Sequence, residues 1–235
     1  MGNTISTVPL DCACVIHGTA YSWDYVDRLH NMLTRHCSRP IRLHVYTEES
    51  RAVPSHLVKH VLTPWSVHKG WWYKIQMFNP AHHAGPLLYF DLDVVITNSI
   101  DWVWQHSTSY FWGVRDFRYL QQPTHTSINS SVMWWDTVKY QHVWGNFKST
   151  DTRLHRGDQD YIMQAIAPTD RKFFDSTHFQ SYRWQVLDGG YNFQTRQHTA
   201  PGTGATIAPE SSVVVFHGNP KPAQIHDVVI KQHWK

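Results

Sequence analysis

The stretch Pro86-Leu87-Leu88-Tyr89-Phe90-Asp91-Leu92-Asp93-Val94-Val95-Ile96-Thr97 decides how this chain is read. Residues 87–90 form a short apolar run, the pattern of a strand buried on both faces. The run stops at two carboxylates separated by one residue. In extended backbone, positions i and i+2 point the same way, so Asp91 and Asp93 are expected to converge at the strand's exit. Two hard oxygen ligands there suit a divalent cation, which in turn can hold a diphosphate. The plain alternative is a pair of acids that merely ends a buried strand, as acids often do in turns.

Outward from this stretch, the chain supplies a regular α/β pattern. Residues 8–16 predict a first strand, and residues 22–36 a helix capped by Ser22. Asp24 and Asp27 lie in the first turn of that helix and Arg35 and His36 in its last, as the helix dipole favours. Ile41, Leu43 and Val45 alternate with polar residues in a second strand, so the chain opens as a βαβ unit. Such a unit places a crevice at the carboxyl ends of its strands. A third strand is expected over 56–62 and a helix over 65–78, whose Lys74 points onward to the acid strand. Residues 79–85, with His82 and His83, read as a loop; the two histidines are either exposed or metal-ligating.

Beyond the acid pair, a short helix is expected over 100–106 and a strand over 110–114. Residues 115–126 read as a surface loop. Small polar residues at 127–131 lead into a buried strand, where they permit close approach of a ligand or a tight sheet crossing. A helix is expected over 137–147, another opening at Arg156-Gly157-Asp158-Gln159-Asp160, and a final strand over 213–216. Residues 173–209 show no convincing period, and 199–206 read as a loop. No internal repeat divides the chain, which reads as a single domain. A nucleotide-binding half spans about 8–98, a donor-sugar and acceptor half about 99–222, and a tail 223–235.

Composition narrows the function. A formal net charge of +3 over 235 residues, with no basic run, does not argue for nucleic acid binding. Twelve tryptophans exceed what one sugar-stacking site uses, so most of them are core residues or chance of lineage. No segment approaches the roughly 18 apolar residues of a membrane span. Residues 1–9 lack the charged and apolar regions of a secretory signal. Residues 1–6 fit only the bare pattern of N-myristoylation. Cys12, Cys14 and Cys37 form no disulfide or metal framework, which points to a reducing cytoplasm. The basic tail 231–235 is either a solvated end or a peripheral membrane contact.

With these segments placed, the chain resembles the GT-A glycosyltransferases. It is most similar to the glycogenin and lipopolysaccharide-galactosyltransferase group, family eight, and its bacterial relatives. Asp91-Leu92-Asp93 matches the D-x-D motif, and Lys74 matches a basic residue on the preceding helix that contacts the donor. Asn129 within Ile128-Asn129-Ser130-Ser131 is similar to the Asn of an Asn-Ala-Gly segment, with Ser131 where that family has Gly. Asp158-Gln159-Asp160 matches a D-Q-D segment. His217, Gly218, Lys221 and Pro222 resemble a C-terminal motif, although fewer residues separate His from Lys and the Trp after Pro is missing.

The resemblance implies one GT-A domain and transfer of a hexose from a nucleotide-diphosphate sugar, UDP-hexose by family likeness. It implies a divalent ion, Mn²⁺ or Mg²⁺, held by Asp91, Asp93 and His217. Lys74, Asn129, Gly218 and Lys221 would serve the donor, with Thr19 and Tyr21 at the base by position alone. Asp158 would bind donor-sugar hydroxyls and Gln159 would stabilise the anomeric centre of a retaining reaction. For inversion, Asp160 or Asp188 would act as the base. The acceptor is left open among a glycan, a lipid-linked glycan, a protein and a modified nucleic acid. Two other readings compete. A haloacid-dehalogenase-like phosphohydrolase would use Asp91 as nucleophile and Asp93 as acid/base, and a non-catalytic module would stack sugars on tryptophan.

Overall fold

The computed structural model describes residues 8–65, 69–187, 191–192, 195, 197–198 and 206–235. The opening follows the periodicity: β1 (Leu10–Val15), α1 (Asp24–His36), β2 (Ile41–Thr47) and β3 (Val58–Val61) form successive parallel pairs. The acid strand is β4 (Pro86–Phe90), followed by β5 (Val94–Ile96), β6 (Phe111–Arg115) and β7 (Ile128–Asp136). Three short helices come next, α2 (His142–Gly145), α3 (Asp151–Leu154) and α4 (Asp158–Ala165). The chain then forms β8 (Arg171–Phe173), β9 (Phe179–Ser181), a small hairpin of β10 (Tyr191–Asn192) and β11 (Gln197–His198), β12 (Val213–Val215) and α5 (Val228–His233).

Seven strands form the central sheet in the order β3-β2-β1-β4-β7-β6-β8. It is mostly parallel; only β7 runs antiparallel to its two neighbours, β4 and β6. A second sheet, β5-β12-β9, flanks the exit of the acid strand. The apolar run of β4 is buried on both faces, and the period of two shows in the packing. Leu88 and Phe90 join Cys12, Cys14, Val132 and Trp134 in one core layer. Leu87 and Tyr89 join Ala13, Met133 and Trp135 in the other. Tryptophans fill these layers as the composition suggested, with Trp72, Trp102, Trp134, Trp135 and Trp234 all buried.

Several expectations are corrected. Ser22 makes no side-chain cap; α1 starts after Trp23, and Ser22 contributes its carbonyl to Tyr25 N–H at 3.2 Å. The helix expected over 65–78 is a tight 3₁₀ helix, Gly70–Phe78, preceded by residues 66–68 outside the described set. Residues 72–78 are all buried, so no polar stripe exists to mark an ordinary surface helix. Gln76 is satisfied there by Thr63, whose N–H donates at 2.8 Å and whose carbonyl accepts at 2.7 Å. The helix expected over 137–147 shrinks to α2, because Asp136 draws Val138 N–H (2.8 Å) and Lys139 N–H (3.1 Å) into a turn. The surface loop 115–126 contains the 3₁₀ turn Phe117–Leu120, which buries Phe117. Residues 1–6, Asp188 and most of the expected 199–206 loop lie outside the described residues.

The tail is not a solvated end. α5 carries buried Ile230 and leads to Trp234, which packs against Tyr25 of α1 with ring centroids 5.1 Å apart. Arg28 lies over the Trp234 ring at 4.3 Å and donates to its carbonyl at 2.8 Å. Substituting Trp234→Ala is expected to cost about 3 kcal/mol of stability, the usual range for a buried aromatic. Urea unfolding measures this, and a loss below about 0.5 kcal/mol would show that the tail is only loosely applied.

Candidate active site

Asp91 directly follows β4, and Leu92 and Asp93 form a turn. This turn leads into β5, and Asp91 N–H donates to Ser131 carbonyl across the sheet at 2.8 Å. Both acids face one cavity of about 600 Å³, because the turn sits at the mouth of the crevice between β1, β7 and β12. The same cavity is lined by Tyr21, Lys74, Asn129, Asp158, Gln159, His217, Gly218 and Lys221. Segments from residue 21 to residue 221 therefore meet at one place.

Each acid has its own cation. Lys74 Nζ lies 2.8 Å from Asp91 Oδ1 and 3.4 Å from Asp158 Oδ2, and donates to Ser130 Oγ at 3.2 Å. Ser130 donates onward to Asp158 Oδ2 at 2.7 Å, and the Tyr89 hydroxyl donates to Asp91. Burial alone would lower the Lys74 pKa, but Asp158 and Asp91 outweigh it and raise it. Asp93 is paired with Lys221 and accepts from the Tyr21 hydroxyl at 2.8 Å. Burial and the nearby Asp91 charge still push its carboxyl up. Burial likewise raises Asp158, against Lys74 and Ser130. Two buried carboxylates with raised pKa values in a cleft are the environment expected of a functional site.

His217 follows β12 and lines the cavity, with Nε2 2.6 Å from Ser181 Oγ. Its ring stacks on Phe117 and meets Trp184 edge-on. The ligand atoms of Asp91, Asp93 and His217 do not all fall within 4.8 Å of one another; among the described residues, one group of three does, Asp11, His44 and His83. Gly218 needs its identity, since its φ of +82° is a conformation side chains rarely adopt.

Other expected residues fall elsewhere. Thr19 is exposed and outside the cavity lining. Tyr21, by contrast, does line the cavity, where its hydroxyl is used on Asp93. Asp160 is absent from the cavity wall and pairs with Arg156 at 2.8 Å. Tyr89 and Ser181 were not named as site residues, and Ser130 was read only as one of the small residues at 127–131. Tyr89 left a signal, being two positions before Asp91 in a run of alternating faces.

Gln159, Asn129 and His217 also line a neighbouring cavity of about 580 Å³, whose further walls include Phe117, Arg118, Arg183 and Trp184. Two cavities thus share a wall formed by Asn129, Gln159 and His217.

Comparison with solved structures identifies the architecture. An active-site mutant of LgtC superposes with a TM-score of 0.62 over 93% of this chain and 91% of that one, at 11% identity. The fold is the GT-A fold. The glycosyltransferase GlyE of Streptococcus pneumoniae TIGR4 matches at 0.59 over 95% of this chain and 58% of its own, at 14% identity. Mouse xyloside xylosyltransferase 1 matches at 0.53 over 90% and 98%, at 12% identity. No protein-family profile and no curated protein matches the sequence. Within this GT-A architecture the acid pair lies at the exit of the fourth strand. Among the described residues, no helix is long and apolar enough to cross a membrane.

Burial pushes the His217 imidazole down from 6.5 to about 4, with Arg183 and Lys221 adding to the shift and Asp116 opposing it. The neutral ring therefore keeps a lone pair at neutral pH. Its contribution to stability is complete above the unfolded value near 6.5 and is lost as pH falls towards 4. NMR titration of the ring nitrogens is expected to give a midpoint near pH 4. A midpoint near 6.5 would contradict this account of its environment.

Proposed function

We infer that the protein is a metal-dependent glycosyltransferase. It moves a hexose from a nucleotide-diphosphate sugar, UDP-hexose, to an acceptor hydroxyl with retention of configuration. One observation carries this reading: within a GT-A fold, a single cavity gathers Asp91, Asp93, His217, Lys221 and Gln159, and Gln159 also faces a second cavity.

The charge balance of the wall supports a bound dication. Three carboxylates, Asp91, Asp93 and Asp158, stand against two ammonium groups, Lys74 and Lys221. A diphosphate entering this wall meets net negative charge unless further positive charge accompanies it. The hard oxygens of Asp91 and Asp93 suit Mn²⁺ or Mg²⁺, and an imidazole ligand from His217 favours Mn²⁺. His217 Nε2 is engaged by Ser181, which leaves Nδ1 as the second nitrogen. When bound, the ion supplies Lewis-acid stabilisation of the leaving diphosphate.

The residues of the chain then divide the remaining work. Lys221 adds a charge-assisted donor for diphosphate oxygens. Asp158, held by Lys74 and Ser130, accepts from hydroxyls of the donor sugar. Asn129 lines the same cavity, its side-chain Oδ1 accepting from Ser131 N–H at 3.0 Å. Gln159 at the shared wall faces both partners. An amide is a poor nucleophile, so its carbonyl stabilises positive charge at the anomeric carbon while the acceptor attacks from the leaving-group side. Trp184, half-buried in the wall of the second cavity, offers a ring for an acceptor sugar to stack on. Glycans, lipid-linked glycans, proteins and modified nucleic acids all carry suitable hydroxyls.

The substitution Asp93→Asn is expected to lower Mn²⁺-dependent hydrolysis and transfer of UDP-hexose by roughly 10²-fold or more, with far-UV circular dichroism unchanged. Turnover within a few-fold of the parent would overturn the role of Asp93. Phosphatase activity on simple phosphomonoesters without UDP-sugar turnover would replace the transferase with a phosphohydrolase.

A further inference from the structure

A second set of metal-competent side chains lies away from both cavities. Strand alternation places Asp11 and Ala13 of β1, His44 and Tyr46 of β2, and His60 of β3 on one face of the sheet. The register pairs Ala13 with His44 and Tyr46 with His60. The loop after the 3₁₀ helix then lays His82 and His83 over this face. His83 meets His44 edge-on at 4.7 Å between centroids, and His82 meets His60 at 5.6 Å.

The geometry points to a metal centre. One ligand atom each from Asp11, His44 and His83 lies within 4.8 Å of the other two. His44 Nε2 is 2.9 Å from Asp11 Oδ1, and its other nitrogen, Nδ1, is 2.8 Å from His60 Nε2. Ligand bonds of about 2.0–2.2 Å place neighbouring donor atoms about 2.8–3.1 Å apart in octahedral and about 3.3–3.6 Å in tetrahedral geometry, and the 2.9 Å between Asp11 and His44 falls in the first range. One His44 tautomer donates Nε2–H to Asp11, and the other frees that nitrogen for a metal. When His44 donates Nδ1–H to His60, its Nε2 lone pair faces Asp11. His83 Nε2 lies 3.1 Å from the Pro86 carbonyl, and donating there leaves Nδ1 bare. A ring fixed through its far nitrogen is how metal-bound histidines are normally held.

We propose that Asp11, His44 and His83 bind a divalent transition-metal ion, with His60 orienting His44. Two imidazoles and one carboxylate suit Zn²⁺, Co²⁺ or Ni²⁺ rather than Mg²⁺ or Ca²⁺. Asp11 and His83 are half-buried while His44 is 4% exposed, so the ion sits at the rim of the sheet with open positions for water. It ties the loop 79–85 to β1 and β2. Arg42 Nε, 3.4 Å from Asp11 Oδ1, is the competing cation. With Arg42 alone as partner for Asp11, the cluster would be a hydrogen-bonded network and nothing more.

The test is Zn²⁺ titration of chelator-stripped protein by calorimetry, with bound metal counted. The parent and Asp93→Asn are both expected to take up one equivalent at this site. His83→Ala, a change in a loop, is expected to lose it with circular dichroism unchanged. His60→Ala is expected to keep the ion about 10–100-fold more weakly. No stoichiometric uptake by the parent overturns the proposal, as does unchanged affinity in His83→Ala. Loss of all uptake in Asp93→Asn would place the ion in the cavity and overturn it equally. Unchanged affinity in His60→Ala would overturn the orienting role of His60.

Discussion

The Lys74 ammonium is the interaction on which the site depends. It is 7% exposed and touches Asp91, Asp158 and Ser130. A charge so buried persists only if its partners are close and fully bonded, and removing one partner of such a group commonly costs about 3–5 kcal/mol. The three partners come from the end of β4, the start of β7 and the first residue of α4. One cation thereby fixes the relative positions of three separate segments, and with them Gln159, the neighbour of Asp158. The antiparallel pairing of β4 with β7 makes this possible, because it brings the end of one strand beside the beginning of the other.

Asp93 is held differently. Its partner Lys221 arrives from beyond β12, at the far end of the chain, and is more exposed than Lys74. One acid of the pair is thus locked from within the core and the other is clasped from the rim. The proposed chemistry uses this asymmetry. Asp91 and Asp158 form a fixed, preorganised wall, whereas Lys221 is a charge that can serve either Asp93 or an incoming phosphate. Preorganised charge in a site partly closed to water acts more strongly than the same charge in solution.

How much of this was legible in the sequence depends on the range of each contact. The βαβ opening and the burial of β4 followed from local period, and the seven-stranded sheet carries both. Gathering Lys74, Asn129, Asp158, Gln159, His217 and Lys221 on one cavity required the family resemblance, since no local pattern joins them. The convergence of Asp91 and Asp93 was expected from extended geometry, but a turn delivers both to the cavity. Tyr89 to Asp91 is local and could have been read from alternation. Ser181 beside His217 could not, because Ser181 ends β9 in a stretch without period and His217 comes just after β12, the strand paired with β9 in the small second sheet. The same limit hid the histidine cluster, where His82 and His83 gain meaning only once His44, His60 and Asp11 share a face. The 3₁₀ helix carrying Lys74 lacked a polar stripe because nearly all of it is buried.

The central claim is that the mouth of β4 holds a dication together with a nucleotide diphosphate. Crystals grown with UDP and Mn²⁺, measured at the manganese absorption edge, test it most directly. The account predicts an anomalous peak bonded to carboxylate oxygens of both Asp91 and Asp93, with the diphosphate against it in the same cavity. UDP bound elsewhere, or in this cavity with no manganese at the two aspartates, would contradict it.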